Sequence, residues 1–214
     1  MEIKLLNLQD FEALNIPLPK DLSIHVWVLP IEDINNLHKE SHRKVRKILS
    51  HYINIPEESL CIEFGSHGKP YLPNLPAGEN FYFNLSHSGK YMALAVSACT
   101  PVGIDIENMN RKVDIDKIAR HFFHPLEAEA FNSLKKDEKK EAFFRLWTIK
   151  ESFLKGLGQG FAISPSSFYA RATDRNSFHI ISSDEKLKEK STSWHLTPIP
   201  APDSYICTVA YQNL

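Results

Sequence analysis

The sequence predicts an α+β fold made of two halves, each with a helix followed by antiparallel strands. Three observations support this prediction. A segment near the start, residues 21–29, alternates apolar and polar side chains as a half-buried strand does. The densest run of strand-forming residues, 80–107, crosses the middle of the chain. A long helical pattern over 137–157 then precedes four further strand-like segments.

The first half is predicted to open with a strand and a basic helix. The apolar positions of the strand are Leu22, Ile24, Val26 and Val28. Residues 31–53 follow with apolar side chains at roughly helical spacing, which predicts an amphipathic helix. The basic side chains of this helix are Arg43, Lys44, Arg46 and Lys47.

A loop and three strands are predicted to complete the first half and begin the second. Residues 65–78 are dense in Gly and Pro, which is typical of a loop. From residue 80 the pattern indicates a strand, a Ser-His-Ser-Gly turn, a strand to Ala98, a Thr-Pro turn and another strand. We place the join at residues 97–101, which divides the chain into an N-terminal half, 1–98, and a C-terminal half, 99–214.

The second half is predicted to begin with helices and end with strands. Two short helical patterns, DIDKIARHFF and PLEAEAFNSL, precede the long one, and Pro125 suits a first helical position. The long helix is expected to end at GLGQG. The remaining strands are predicted near 167–172, 177–182, 193–199 and 204–211.

The charge balance and the spacing of the cysteines exclude several classes of protein. The 25 Lys and Arg residues nearly balance 26 Asp and Glu, so no overall positive field is available for a nucleic acid or an anionic membrane. Three widely spaced cysteines suit neither a disulfide framework nor a zinc cluster. No apolar run approaches the roughly 18 residues that span a bilayer. We therefore expect a cytoplasmic protein with no nucleic-acid or membrane partner.

The motif VGIDIE places two carboxylates on one side of a predicted strand. Alternation sends Ile104 and Ile106 to one face, and Gly103, Asp105 and Glu107 to the other. Neighbouring carboxylates repel each other unless a cation lies between them, and oxygen ligands suit Mg²⁺. Two surface acids at a solvated strand end are an equally weighted alternative.

Two charged residues interrupt the apolar stripe of the long helix. Lys150 and Glu151 fall among Phe, Leu and Trp residues, where burying a charge is costly unless it is paired or binds an ion. Lys155 stands one turn beyond Glu151 on the same face. A third carboxylate with an ammonium group beside it suits phosphate-transfer chemistry. An ordinary surface pair remains the alternative for this helix taken alone.

Two further polar segments could meet a phosphate. The NLSHSG segment carries Ser86 and His87 at a strand end, where hydroxyl, imidazole and backbone N–H groups can converge. The GKP segment carries Lys69. Taken alone, each is more simply explained as a turn or a solvated lysine.

In order along the chain, HGKPYLP, FNLSHSG, VGIDIE and FFRLWTIKESFLKGLGQG resemble the surfactin-type 4′-phosphopantetheinyl transferases. The resemblance covers about residues 60–170. It implies two similar α/β halves related by a pseudo-twofold, with coenzyme A bound in the cleft between them. It also implies transfer of the phosphopantetheine arm of coenzyme A to a serine of an apo acyl or peptidyl carrier protein, by a monomeric enzyme that uses Mg²⁺, with Mn²⁺ as an alternative.

The resemblance also assigns roles to individual residues. It implies that Asp105, Glu107 and Glu151 are metal ligands, and that Glu151 also accepts the proton of the attacking serine. It implies further contacts with coenzyme A from Ser86, His87, Lys69, Lys150 and the catalytic Lys155. The family's basic segment ahead of the GKP loop is short here. We therefore expect Arg43 or Arg46 to join Lys69 at the 3′-phosphate.

Two other functions fit the same residues. A metal-dependent phosphohydrolase would use the three carboxylates to activate water and would release phosphopantetheine without a protein acceptor. A non-catalytic protein that binds coenzyme A is the third possibility, although all four charged residues of the two main motifs are present: Asp105, Glu107, Glu151 and Lys155.

Overall fold

The computed structural model describes residues 1–13, 16–19, 23–75, 80–174 and 177–213, and it shows an α+β fold with two main sheets. The first sheet has the strand order β1-β2-β6-β5. The second has the order β7-β11-β10-β9-β8. Within the described residues, no helix combines the length and apolarity needed to cross a bilayer.

The first sheet and its helices come from the N-terminal part of the chain. Strand β1 pairs with β2 in parallel, and β6 pairs antiparallel with both β2 and β5. A two-stranded ribbon, β3 and β4, carries the loop ahead of β5. The elements are β1 (Glu2–Leu6), α1 (Leu8–Ala13), β2 (Ser23–Pro30), α2 (Leu37–Ile53), β3 (Glu63–Phe64), β4 (Pro70–Tyr71), β5 (Tyr82–Ser88) and β6 (Tyr91–Ser97).

The second sheet, which is antiparallel throughout, follows from residue 102 and packs against the longest helix. The elements are β7 (Val102–Asn108), α3 (Ile115–Phe122), α4 (Pro125–Ser133), α5 (Lys136–Leu157), β8 (Phe168–Asp174), β9 (Ser177–Ser182), α6 (Glu185–Ser191), β10 (Trp194–Ile199) and β11 (Tyr205–Gln212).

Local sequence explains where the main helices begin and end. Helix α2 buries its apolar stripe and ends at Asn54, which adopts a left-handed conformation with φ 52°. Helix α4 begins with Pro125 at its first position, as predicted. Helix α5 ends at Gly158, whose φ of 68° is available to Gly at low cost, so the predicted stop at GLGQG is confirmed.

A shared core joins the two sheets. Strand β2 divides its side chains between two cores, because alternate residues point to opposite faces. Trp27 packs towards α2, whereas Ile24 and Val26 pack towards the second sheet. The core between the sheets includes Ile24, Val26, Ala93, Ala95, Val102, Ile104, Ile106 and Val209. The two sheets therefore meet over a continuous apolar surface.

Side chains of β5 also bond to β7 where the two sheets meet. Asn84 Oδ1 accepts a hydrogen bond from Ile104 N at 2.9 Å. Ser88 Oγ accepts one from Asn108 N at 3.0 Å. These contacts hold two sheet edges together without a backbone ladder between them. The division into halves at residue 98 and the pseudo-twofold stay predictions.

The structure departs from the sequence predictions at four places, and the first is strand β4, which lies inside the loop predicted over 65–78. Strand β1 and helix α1 precede the strand that we expected to open the chain, and α6 lies between β9 and β10. The Ser-His-Ser segment is part of β5, so the turn begins only at Gly89, which has φ 55°. Leu22 and residues 76–78 of the predicted loop lie outside the described residues.

Candidate active site

A cavity of about 580 Å³ lies between α2, the β3–β4 ribbon, β5 and the end of α5. Its apolar lining side chains include Val45, Ile62, Phe64, Phe83, Leu85 and Leu154. Its basic lining side chains are His38, His42, Arg46, His67, Lys69, His87 and Lys155. None of the described residues that line this cavity is acidic. The cavity therefore suits an anion that also carries an apolar group.

Asp105 contacts two residues that line this cavity, Ser86 and Lys155. Its carboxylate is buried, with 3% of the residue exposed. Oδ1 accepts hydrogen bonds from Ser86 Oγ at 2.8 Å and from Lys155 Nζ at 2.6 Å. Ser86 and Lys155 also contact each other at 2.9 Å. The structure thus brings together three of the predicted site residues, one from β5, one from β7 and one from α5.

Glu107 follows Asp105 on the same face of β7, as the alternation predicted. Oε2 accepts a hydrogen bond of 2.7 Å from Ser88 Oγ, and Oε1 accepts one of 2.5 Å from Arg111 Nη1. Arg111 is half exposed. Glu107 is therefore oriented by two residues, Ser88 of β5 and Arg111, which follows β7.

Glu151 approaches the two carboxylates from α5. Burial, followed by the negative charge of Asp105, raises the pKa of Glu151 to about 7. Burial opposes the charge on Lys155, but the neighbouring Asp105, Glu151 and Glu107 carboxylates outweigh it and raise the pKa of this ammonium group. Lys155 therefore keeps its positive charge among the three acids, and Arg111 supplies a second positive charge at Glu107.

Two oxygen atoms of this cluster lack partners among the described residues. Asp105 Oδ2 and Glu151 Oε1 are buried and accept no hydrogen bond. Buried acceptors without a partner are rare and costly, and a hard cation satisfies such oxygens. No group of three or more His, Cys, Asp or Glu side chains in the described ranges is arranged to hold a metal ion. The carboxylate oxygens of this cluster are nevertheless the type of ligand that Mg²⁺ takes. In this structure Ser88 and Arg111 form hydrogen bonds to the oxygens of Glu107.

Gly103 permits the close approach of α5 to β7. A Cβ atom at this position would overlap the backbone of Ser152 and Gly156. Helix α5 therefore occupies the space beside Gly103. Glu151 and Lys155 reach Asp105 because the two backbones meet here.

Lys69 and Arg46 line the cavity, but both donate hydrogen bonds to backbone carbonyls. Lys69 Nζ bonds to Gly156 O at 2.6 Å and to Val102 O at 3.0 Å, and burial lowers its pKa to about 8. Arg46 Nη2 donates to the carbonyls of Glu57 and Leu60. Both residues contribute positive potential to the cavity while they fasten neighbouring segments.

Arg43 and Lys150 do not line this cavity, and their expected contact with coenzyme A stays a prediction. Arg43 is exposed on α2 and does not line the cavity. Lys150 is 1% exposed and forms an ion pair of 2.7 Å with Glu127. Its ammonium group also donates to two backbone carbonyls, of Pro165 at 2.8 Å and Phe168 at 2.7 Å. Adjacent helix residues face directions about 100° apart, so Lys150 enters the core while Glu151 faces the carboxylates.

His87 lies in the cavity with two histidines that the sequence interpretation did not select. The ring of His87 contacts that of His38, with centroids 4.7 Å apart, and His38 is 6.4 Å from His42. His38 and His42 stand four residues apart on α2, a spacing that could have shown that they share a face. Ser88 and Arg111 carried no comparable signal, because their contacts depend on how the two sheets meet.

Two family models match this chain. Residues 101–210 match the 4′-phosphopantetheinyl transferase superfamily, and residues 41–99 match a family described as 4′-phosphopantetheinyl transferase, N-terminal. The first match contains Asp105, Glu107, Glu151 and Lys155, and the second contains Lys69, Ser86 and His87.

Two curated relatives illustrate the similarity. The 4′-phosphopantetheinyl transferase HetI of a Nostoc species is 30% identical, over 69% of this chain and 76% of that protein. The 4′-phosphopantetheinyl transferase gsp of Aneurinibacillus migulanus is 36% identical, over 69% of this chain and 58% of that one. The chain thus spans less than two thirds of the second relative.

Among solved structures, a holo-(acyl-carrier-protein) synthase from Bacillus anthracis in complex with CoA (3′,5′-ADP) is similar with a TM-score of 0.43 and 22% identity, over 52% of this chain and 94% of that one. The family match covers half of this chain, and the HetI alignment covers two thirds of both proteins. The family match and the HetI alignment lead to one conclusion. The chain belongs to the 4′-phosphopantetheinyl transferase superfamily.

Proposed function

We propose that this protein transfers the 4′-phosphopantetheine arm of coenzyme A to a serine of an apo acyl or peptidyl carrier protein and releases adenosine 3′,5′-bisphosphate. One observation carries the proposal. A cavity with seven basic side chains, and with no acid among the described residues that line it, reaches Lys155 beside Asp105, Glu107 and Glu151. An anion held in the cavity would present its reacting end to the carboxylate cluster.

Coenzyme A has the chemistry that this cavity selects. Its phosphates complement the basic side chains, and its adenine ring complements apolar walls such as Phe64 and Phe83. Lys155 keeps its proton at neutral pH because three carboxylates surround it. Its ammonium group can therefore stabilise negative charge on the pyrophosphate during transfer.

Glu151 is the residue that we assign to proton transfer. Its Oε1 is buried and has no partner among the described residues, so this oxygen is available to accept a proton. In the proposed reaction, Glu151 accepts the proton of the carrier serine, directly or through a water molecule. The serine oxygen attacks the phosphorus atom bearing the pantetheine arm, and adenosine 3′,5′-bisphosphate leaves.

Asp105, Glu107 and Glu151 are the residues that would hold Mg²⁺, or Mn²⁺ in its place. The bound ion would supply positive charge against the pyrophosphate oxygens. Ser86 and Ser88 orient the first two carboxylates through hydrogen bonds. The monomeric state, the cytoplasmic location and the absence of nucleic-acid and membrane partners stay predictions.

The test is to incubate the protein with coenzyme A, Mg²⁺ and several apo carrier proteins, and to measure the carrier mass. The expected result is a carrier that gains one phosphopantetheine group, with the gain lost in excess chelator and restored by added Mg²⁺. Free phosphopantetheine without a mass gain would instead indicate the phosphohydrolase. Binding of coenzyme A without either product would indicate a non-catalytic binding protein.

A further inference from the structure

Two threonine hydroxyls meet in the core between α5 and β11. Thr148 Oγ1 lies 2.9 Å from Thr208 Oγ1, and both residues are fully buried. Thr148 Oγ1 also donates a hydrogen bond of 3.0 Å to the carbonyl oxygen of Arg145, in its own helix. Because a hydroxyl carries only one proton, Thr208 is the donor in the bond between the two side chains. The pair therefore has a defined donor on the strand and a defined acceptor on the helix.

This hydroxyl pair lies next to the carboxylate cluster on both elements. Thr208 is directly opposite Asp105 in the antiparallel ladder of β11 and β7, so their side chains point to the same face of the sheet. On α5, Thr148 precedes Glu151 by three residues and Lys155 by seven, a spacing that places all three on one side of the helix. Lys155 returns to Asp105 through an ion pair of 2.6 Å. The ladder, the hydroxyl pair, the helix and the ion pair thus form a closed ring of contacts.

Burial of the two hydroxyls is not explained by packing alone. Removing two buried hydrogen-bonding groups and replacing both with apolar groups of the same shape is often nearly neutral for stability. A pair of valines would therefore fill the same space at little cost. What a valine pair would lack is direction, because a hydrogen bond requires a defined distance and angle between its two groups. The hydroxyl pair thus contributes a defined position more than it contributes stability.

The neighbouring contact between α5 and β7 does not supply such a position. At Gly103 the strand has no side chain, and a Cβ atom there would overlap the backbone of Ser152 and Gly156. This contact determines how closely the helix approaches the strand. Interdigitating side chains usually fix where packed elements lie along their axes, and Gly103 has none to offer. Thr148 stands one helical turn before Ser152, so its bond to β11 acts next to this smooth contact.

We propose that Thr148 and Thr208 are positioning residues for the transfer reaction, because the bond between them fixes α5 against β11. Glu151 and Lys155 thereby meet Asp105 in the arrangement that the reaction needs. The inference rests on the proposed function for the identity of that reaction. Neither threonine lines the cavity, so the pair acts through the residues that it positions. A misplacement of about 1 Å can lower a rate by about 10²-fold, so a small shift of α5 is sufficient.

The experiment uses three valine variants whose stabilities are expected to differ. Thr208→Val removes the donor, but Thr148 keeps its bond to Arg145 O, so the melting temperature should change little. Thr148→Val leaves the Thr208 hydroxyl buried without its partner and should lower the melting temperature more. The double variant removes both hydroxyls and should melt near the wild-type temperature. Thr208→Ser restores the hydroxyl group alone.

Thr100→Val is the matched control. Thr100 is also fully buried, and its hydroxyl donates a hydrogen bond of 2.6 Å to Gln212 O, in the last residue of β11. The control therefore removes the same group by the same substitution at another contact of β11. It should lower the melting temperature, because a buried carbonyl bond is lost, and it should keep the wild-type transfer rate.

Two measurements report the position of α5 in these variants. The initial rate of carrier mass gain gives kcat, and electron paramagnetic resonance measures the affinity for Mn²⁺ without coenzyme A or a carrier. Mn²⁺ binding tests whether Glu151 of α5 still converges with the acids of β7. Loss of a supporting contact typically lowers metal affinity or activity by roughly 10- to 100-fold, and we expect losses of this size in all three valine variants. Thr208→Ser should recover most of both quantities.

The outcomes separate the two proposals. If the wild type converts apo carriers and the double valine variant has the rate and Mn²⁺ affinity of Thr100→Val, the hydroxyl pair serves packing only and the positioning role is wrong. A Thr208→Ser protein as impaired as Thr208→Val would lead to the same conclusion, because the hydroxyl would then not be the cause. If the wild type modifies no carrier, the proposed function is wrong, and the inference that rests on it is wrong as well.

Discussion

Ser88 Oγ donates a hydrogen bond of 2.7 Å to Glu107 Oε2 and so connects the last residue of β5 to a carboxylate of β7. The same oxygen accepts a hydrogen bond from Asn108 N at 3.0 Å. A side chain of the first sheet therefore fixes the direction of an acid on the second. The geometry of the site therefore depends on the contact between β5 and β7 as well as on the acidic residues.

Ser88→Ala should cost about 1–3 kcal/mol of unfolding free energy, because the buried Glu107 carboxylate and the half-buried Asn108 N–H each lose a hydrogen bond. It should also weaken binding of Mn²⁺, which electron paramagnetic resonance measures without turnover. Ser133→Ala is the control, because that exposed hydroxyl bonds only to Ala130 O in its own helix. Equal urea unfolding curves for both variants would contradict the positioning role.

Glu151→Gln should leave the fold intact and lower the transfer rate by roughly 10²- to 10⁴-fold, the usual contribution of a general base. Carrier mass gain over time is the measurement, and circular dichroism checks the fold. Glu141→Gln is the matched control, since Glu141 lies on the same helix and pairs on the surface with Arg145 at 3.1 Å. A Glu151→Gln enzyme as fast as this control would remove Glu151 from the reaction.

Lys150→Met should destabilise the protein by about 3–5 kcal/mol, because Glu127 would be left as an unpaired buried charge. Transfer activity of the folded fraction should stay near wild type, since Lys150 lies outside the cavity. Adding Glu127→Gln should recover part of the lost stability. Urea unfolding and initial rates separate the two effects, and a folded Lys150→Met protein without activity would show that the lysine serves the reaction.

Gly103→Ala should separate α5 from β7, since the added methyl group would overlap the backbone of Ser152 and Gly156. Overpacking of this kind typically costs about 1–3 kcal/mol, and the displaced helix would carry Glu151 away from Asp105. We expect a lower melting temperature and a large loss of activity. Gly65→Ala tests the specificity of the effect, because its Cβ would make an ordinary contact of 3.6 Å with Lys69 O.

Lys69 should give the protein a pH-dependent stability above pH 8. Burial lowers its folded pKa from 10.5 to about 8, so between these values the unfolded chain binds more protons than the folded one. The contribution of this lysine to unfolding free energy should therefore rise with pH across that window, by at most about 1.4 kcal/mol per unit. Below pH 8 the lysine is charged in both states, and the contribution should be constant.

The measurement for Lys69 compares urea unfolding of wild type and Lys69→Met at pH 7.5, 8.5 and 9.5. The difference between the two proteins cancels the titration of other groups. The free energy of unfolding of wild type should increase relative to that of the variant as pH rises. Parallel stability profiles would show that the ammonium group is not desolvated where it meets Gly156 and Val102.

Periodicity predicted most helices and strands, because burial of one face imposes a repeat that the sequence must carry. It placed Asp105 and Glu107 on one side of β7 for the same reason. No sequence pattern indicated that Lys150 pairs with Glu127, since these residues meet only when α4 packs on α5. Strand β1 was missed because most of its side chains are exposed or half-exposed, which weakens the alternating pattern.

The side-chain contacts between β5 and β7 also bear on aggregation. Both are edge strands of their sheets, and an open sheet edge can pair with another molecule. The side chains of Asn84 and Ser88 accept hydrogen bonds from the edge N–H groups of Ile104 and Asn108. The edge strands β5 and β7 therefore cover each other. The contact between β5 and β7 that forms the site therefore also keeps two sheet edges from pairing with another molecule. Substitutions that loosen it are expected to reduce solubility together with activity.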